Sequence, residues 1–141
     1  MIAIRPIGDD DIADVIALWQ AAGVSRPWND PRADIAFARN SPHATILLGL
    51  REGRIVASAM VGEDGHRGWV YYVAVQPEAQ GGGIGRAMMD AAEAWLRTRG
   101  LWKMQLLVRG DNAPACGFYE SLGYKDTGTT CFQKVIGNQF E

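Results

Sequence analysis

The sequence predicts an α/β fold of the α+β kind: a mixed, mostly antiparallel sheet of about six to seven strands with helices on both faces. Three features carry this expectation. Apolar strand-like runs at 45–51, 54–61 and 69–75 succeed one another across tight turns, which makes an antiparallel meander. Runs of helical period stand on both sides of that meander. A helix-length segment then separates 69–75 from the next strand-like run, and crossovers of that kind join parallel strands.

Ile2, Ile4 and Ile7 alternate with Ala3 and Arg5 in a short first strand that starts at Met1. Asp9 to Asp11 can cap and charge-stabilise a helix start, after which Ile12, Val15, Ile16 and Trp19 share one face until Gly23. Pro27 and Pro31 forbid a continuous helix, so 24–31 is a loop. A second helix is expected over about 32–39, with Ile35, Phe37 and Ala38 apolar, and Ser41-Pro42 ends it. Glu52-Gly53 makes the first hairpin, and Asp64-Gly65 is the turn before the third meander strand. Pro77 closes that strand, because proline has no N–H for a sheet ladder.

After a glycine-rich turn, Ile84, Ala87, Met88, Ala91 and Trp95 recur at helical spacing. This helix runs to about Arg99, with Gly100 suited to its C-terminal cap. Residues 102–108 read as a fifth strand and 112–122 as a last helix, closed by Gly123. Strands from Tyr124 onward and over 129–135 complete the order β-α-α-β-β-β-α-β-α-β-β. No repeat, low-complexity segment or interdomain linker interrupts it, so 1–141 reads as one domain.

Composition excludes several classes. Lys and Arg total 14 against 16 Asp and Glu, with no basic stripe, so nucleic acid is not an expected partner. No apolar stretch approaches the roughly 20 residues of a membrane span. The N-terminus reads as a strand rather than a signal peptide. Cys116 and Cys131 lack C-x-x-C spacing, which suggests a reducing cytoplasm. His43 and His66 are isolated, so no metal is expected.

The informative stretch follows the third meander strand. Gln80, Gly81, Gly82, Gly83, Ile84, Gly85 and Arg86 join a strand to a helix start. The first turn of a helix has N–H groups without internal partners, and the helix dipole adds partial positive charge there. Glycines let a phosphate approach those amides closely, so a nucleotide-like cofactor with a pyrophosphate would fit. A merely flexible turn is the plainer alternative. A P-loop would need Lys and Ser or Thr where Arg86 and Ala87 stand. A dinucleotide fingerprint fails in both registers, ending on Arg86 or Met88 instead of glycine.

The run Gln80, Gly83, Gly85 does fit [R/Q]-x-x-G-x-[G/A], and so resembles the acetyl-CoA pyrophosphate loop of the GNAT superfamily of N-acetyltransferases. A second stretch resembles the signature N-x-x-A-x-x-[FL]-Y-x-x-x-G-[FY] of the same superfamily, through Asn112, Ala115, Phe118, Tyr119, Gly123 and Tyr124. The element order matches as well. The segments Arg26-Pro27-Trp28-Asn29-Asp30-Pro31 and Asp64-Gly65-His66-Arg67-Gly68 look like the small bacterial YpeA-type branch.

The resemblance implies an acetyl-CoA-dependent N-acetyltransferase acting on a small-molecule amine or a protein N-terminus, as a monomer or homodimer. The backbone of Val73 and Val75 would pair with the pantetheine arm. Amides from Gly81 to Arg86, after Gln80, would hold the pyrophosphate. Asn112 would bond the pantetheine region, or serve only as a helix N-cap. Tyr119 would protonate the leaving thiolate, or be a core aromatic beside Phe118; a phenol of pKa about 10 is protonated at pH 7. Glu63, Asp64 and His66 are candidate bases, although turn-forming and solvated roles suit them at least as well. In the acceptor loop Trp28 and Asn29 could face the substrate, with Asp30 holding its ammonium. Equally, Trp28 could staple the loop and Asp30 begin the second helix. The competing reading is a non-catalytic acyl-CoA-binding sensor.

Overall fold

The computed structural model describes residues 2–139, so Met1 lies outside the described residues. The chain divides into two compact units, 1–106 and 107–141. In the first unit the elements are β1 (Ala3–Pro6), α1 (Ile12–Ala21), α2 (Pro31–Arg39), β2 (Ala44–Arg51), β3 (Arg54–Glu63), β4 (Gly68–Val75), α3 (Ile84–Thr98) and β5 (Met104–Gln105). The sheet order is β1-β2-β3-β4-β5. All neighbours are antiparallel except β4 and β5, which run parallel. Glu52 and Gly53 both take positive φ, the geometry of a two-residue hairpin whose twist matches its strands.

Helices cover both faces of the sheet. On one, Val15, Leu18 and Trp19 of α1 and Ile35 and Ala38 of α2 pack with Ile46, Leu48 and Ala74. On the other, α3 buries Met88, Met89, Ala92 and Leu96. Two glycines let it sit close. A Cβ at Gly49 would come within 2.9 Å of Met88 Sδ, and one at Gly68 would fall inside the Leu96 side chain.

In the second unit α4 (Ala113–Ser121) begins at Asn112, whose Oδ1 accepts the Ala115 N–H at 3.2 Å. Tyr119 meets Phe118 and Tyr124 edge-on at ring-centroid separations of 5.0 and 6.0 Å.

The five strands fall short of the six to seven predicted. β5 holds two residues instead of seven, and no strand forms at 124 onward or over 129–135 among the described residues. Local bonding competes there. The Asp126 carboxylate accepts the Gly128 N–H at 2.8 Å, and Thr127 and Thr129 pair through their hydroxyls at 2.8 Å. Such side-chain bonds offer the backbone turns in place of a ladder. Phe132, Val135 and Ile136 are 93, 78 and 93% exposed, so no burial pins a register.

Candidate functional site

The mouth of α3 is built as its sequence requires. Residues 77–79 form a short 3-10 turn, then Gly81 and Gly83 take φ of +85° and +82°. A Cβ at either would touch nothing, so these glycines answer to backbone conformation rather than crowding. Gly83 is the N-cap of α3, with no side chain bonded to the first turn. Among the described residues, the amides of Gly81, Gly82, Gly83, Ile84, Gly85 and Arg86 have no protein acceptor. Gln80 folds back, its Nε2 donating to the Val75 carbonyl at 3.1 Å, and so ties the loop to the end of β4.

β4 carries an irregularity that the sequence pattern did not reveal. Ser58 lies opposite Ala74 and Met60 opposite Tyr71, so β4 spends three steps where β3 spends two. Tyr72 sits in the interruption with φ +51°, a left-handed conformation that costs a bulky residue strain. Val73 has no opposite residue in the β3 register. On the other edge β5 pairs only with Gly68 and Trp69, so no described strand follows β4 past that point.

The surroundings hold the bulge in place. Ser58, the buried polar residue of the core, accepts the Trp19 indole N–H at 2.9 Å and donates to the Tyr72 carbonyl at 2.8 Å. The Trp19 and Tyr72 rings stack, 3.7 Å between centroids and 7° from parallel. The Tyr72 phenol donates to Asp34 Oδ2 at 2.5 Å and also bonds the Asn29 side chain. Burial first, then the Asp34 bond and charge, push this phenol well above its ordinary pKa. Tyr72, Asp34, Ser58 and Trp19 had drawn no functional reading from sequence. A tyrosine inside an apolar run and an aspartate inside a helix carry no special spacing.

The remaining candidates fall in three places. In the acceptor loop, Trp28 is 59% exposed and Asn29 is exposed. Asp30 caps α2, its Oδ1 accepting from Arg32 N at 3.0 Å and Ala33 N at 3.4 Å, with Pro31 at the first helical position. Glu63, Asp64 and His66 lie at the β3–β4 turn, with β4 between them and the glycines, about 23 Å of strand. Glu63 pairs with His43 at 2.7 Å and accepts the Gly65 N–H at 3.1 Å. Asp64 accepts from His66 N, Arg67 N and the Trp69 indole at 2.9, 2.7 and 3.0 Å. Those bonds, the Arg67 amide foremost, hold its carboxyl below the usual range and make it a poor proton acceptor. In the second unit, burial pushes the Tyr119 phenol upward, so it stays protonated at neutral pH. Among the described residues no cluster of His, Cys, Asp and Glu could hold a metal, and no helix is long and apolar enough to cross a membrane.

Residues 13–124 match the Acetyltransferase (GNAT) family. The chain is 42% identical over 122 residues, 86% of each chain, to an acetyltransferase of Sodalis glossinidius (strain morsitans). The ribosomal-protein-S18-alanine N-acetyltransferase of Escherichia coli superposes with a TM-score of 0.73 at 28% identity, over 87% of this chain and 77% of that one. AAC(6')-Iy, solved with the bisubstrate analogue CoA-S-monomethyl-acetylneamine, superposes with a TM-score of 0.83 at 14% identity, over 97 and 99% of the two chains, a likeness of fold.

Proposed function

The chain belongs to the GNAT family of acetyltransferases, and from that premise we propose that it moves acetyl from acetyl-CoA to a primary amine by direct attack in a ternary complex. The acceptor is a small-molecule amine or a protein N-terminus, the enzyme acts in the cytoplasm as one catalytic domain, and its branch is the YpeA type. The observation that carries this reading is the mouth of α3. Six successive amides without a protein acceptor, on a backbone bent by Gly81 and Gly83, offer donors for an anion such as a pyrophosphate.

The chemistry follows from the residues. The amides of Gly81 to Arg86 hold the pyrophosphate, while Gln80 fixes the loop to β4. The open edge of β4 at Val73 and Val75 takes the pantetheine arm as an added strand would. The neutral amine attacks the thioester carbonyl, the C–N bond forms and the C–S bond breaks. Tyr119 gives its proton to the departing thiolate and regains one from solvent. The nitrogen's proton leaves through water, because Glu63 and Asp64 are already engaged at their turn and His66 lies beside them. Asn112 combines its capping role with a bond to the pantetheine region.

A screen of small amines and N-terminal peptides with acetyl-CoA tests this reading. Thiol release that depends on one class of amine is expected. Tight acetyl-CoA binding without transfer to any amine would leave only a sensor, and absent binding would remove the cofactor assignment.

A further inference from the structure

We propose that Asp34, held by Tyr72 on the β4 bulge, is the seat for the ammonium form of the acceptor. The proposal deepens the acetyl-transfer reading and rests on it for the identity of that ligand. Asp30, the carboxylate that sequence spacing offered for this task, has its Oδ1 occupied by two backbone amides of α2. Asp34 stands one turn further along the same helix and is partly open to solvent. Its Oδ2 accepts the Tyr72 phenol, and a carboxylate has lone pairs for further donors. Trp28 and Asn29, both exposed, belong to the loop that leads into α2, and Asn29 bonds the same phenol.

The strain at Tyr72 gives the arrangement its direction. A left-handed tyrosine in a central strand persists only when its surroundings over-determine it. Here they do so four times, through the Trp19 stack, the Ser58 hydroxyl, Asp34 and Asn29. The same bulge brings two consecutive tyrosines to the α1–α2 face: Tyr71 opposite Met60 and Tyr72 on Trp19. A carboxylate is thereby fixed at the tip of the Tyr72 side chain, on the strand that also carries Val73 and Val75. An ammonium bonded there binds and orients the acceptor one tyrosine side chain from the strand, and its nitrogen attacks only after giving a proton to water.

The test uses the full chain, 15N-labelled, titrated with benzylamine, which is cationic at neutral pH, and with neutral benzyl alcohol. Benzylamine is expected to shift the amides of 28–30, 32–34 and 71–73, and benzyl alcohol to leave them unmoved. Asp34→Asn should weaken benzylamine binding at least about tenfold, the loss of a charge-assisted hydrogen bond. It should also raise KM for the amine found in the screen by a similar factor, with acetyl-CoA affinity retained. Tyr72→Phe keeps the ring stack and should weaken binding less, about threefold, which reads the orienting bond even if Asp34→Asn folds poorly. Benzylamine shifts elsewhere, equal response to the alcohol, or unchanged binding in both variants would overturn the seat. Transfer activity with an unchanged KM in Asp34→Asn would overturn the seat alone. Amine binding at Asp34 without any acetyl transfer would overturn the function and leave the seat.

Discussion

Two places in this chain hold left-handed backbone near the expected reaction path, and they are made from opposite materials. At the mouth of α3 the positive φ falls on Gly81 and Gly83, where it costs little and no neighbour enforces it. On β4 it falls on Tyr72, where a ring stack, a buried serine and an aspartate enforce it. At the first place the amides have no protein acceptor among the described residues and are open to an anion. The second is crowded and rigid. A site that must admit a large flexible cofactor and then aim a small nucleophile has use for one of each.

The contrast can be broken most severely at the helix mouth. Gly83→Leu should abolish acetyl-CoA binding in calorimetry. Folding stability, read by denaturant unfolding, should fall only by the strain of one left-handed residue, about 1–2 kcal/mol. Normal affinity would put the cofactor elsewhere. Next in size is Tyr119→Phe, expected to lower kcat about 100-fold with acetyl-CoA affinity kept; unchanged turnover would remove it as the acid. Ser58→Ala sharpens the other side of the comparison. It leaves the Trp19 indole N–H buried without its acceptor, so a stability loss of about 1–3 kcal/mol is expected by denaturant unfolding.

A smaller effect concerns pH. Tyr72 and Tyr119 have phenol pKa values raised in the folded state above the unfolded value of about 10. Their contribution to stability is therefore fully present below about pH 10 and is lost as pH rises through the folded values. Ultraviolet titration should show Tyr72 and Tyr119 ionising above the range of a free tyrosine. Smallest of all, Asp64→Asn should leave the pH–rate profile unmoved, since the carboxylate serves its own turn.

The glycine region could be read from letters because its strain needs a residue type that is itself the signal. Glu52-Gly53 and Gly100 were legible for the same reason, and the apolar spacing of Ile84, Met88 and Trp95 gave α3. The Tyr72 bulge was not legible. Its strain is imposed by Ser58, Trp19 and Asp34, which lie 14, 53 and 38 residues away in the chain, and alternation along 69–75 predicts a regular strand. Asp30 shows a milder form of the difficulty. One carboxylate served equally as a cap or as a ligand on paper, and the folded chain uses it as a cap. The strands expected over 124–135 failed because turn-forming Asp126, Thr127 and Gly128 have bonding of their own.

The parallel stack of Trp19 on Tyr72 has an optical consequence. An indole fully buried against a phenol emits in a fixed, dry environment, and Ser58 holds its N–H still. Any event that tilts the phenol ring alters what that indole sees. A chain keeping Trp19 as its sole tryptophan would report occupancy at Asp34 by its own fluorescence, with no dye attached.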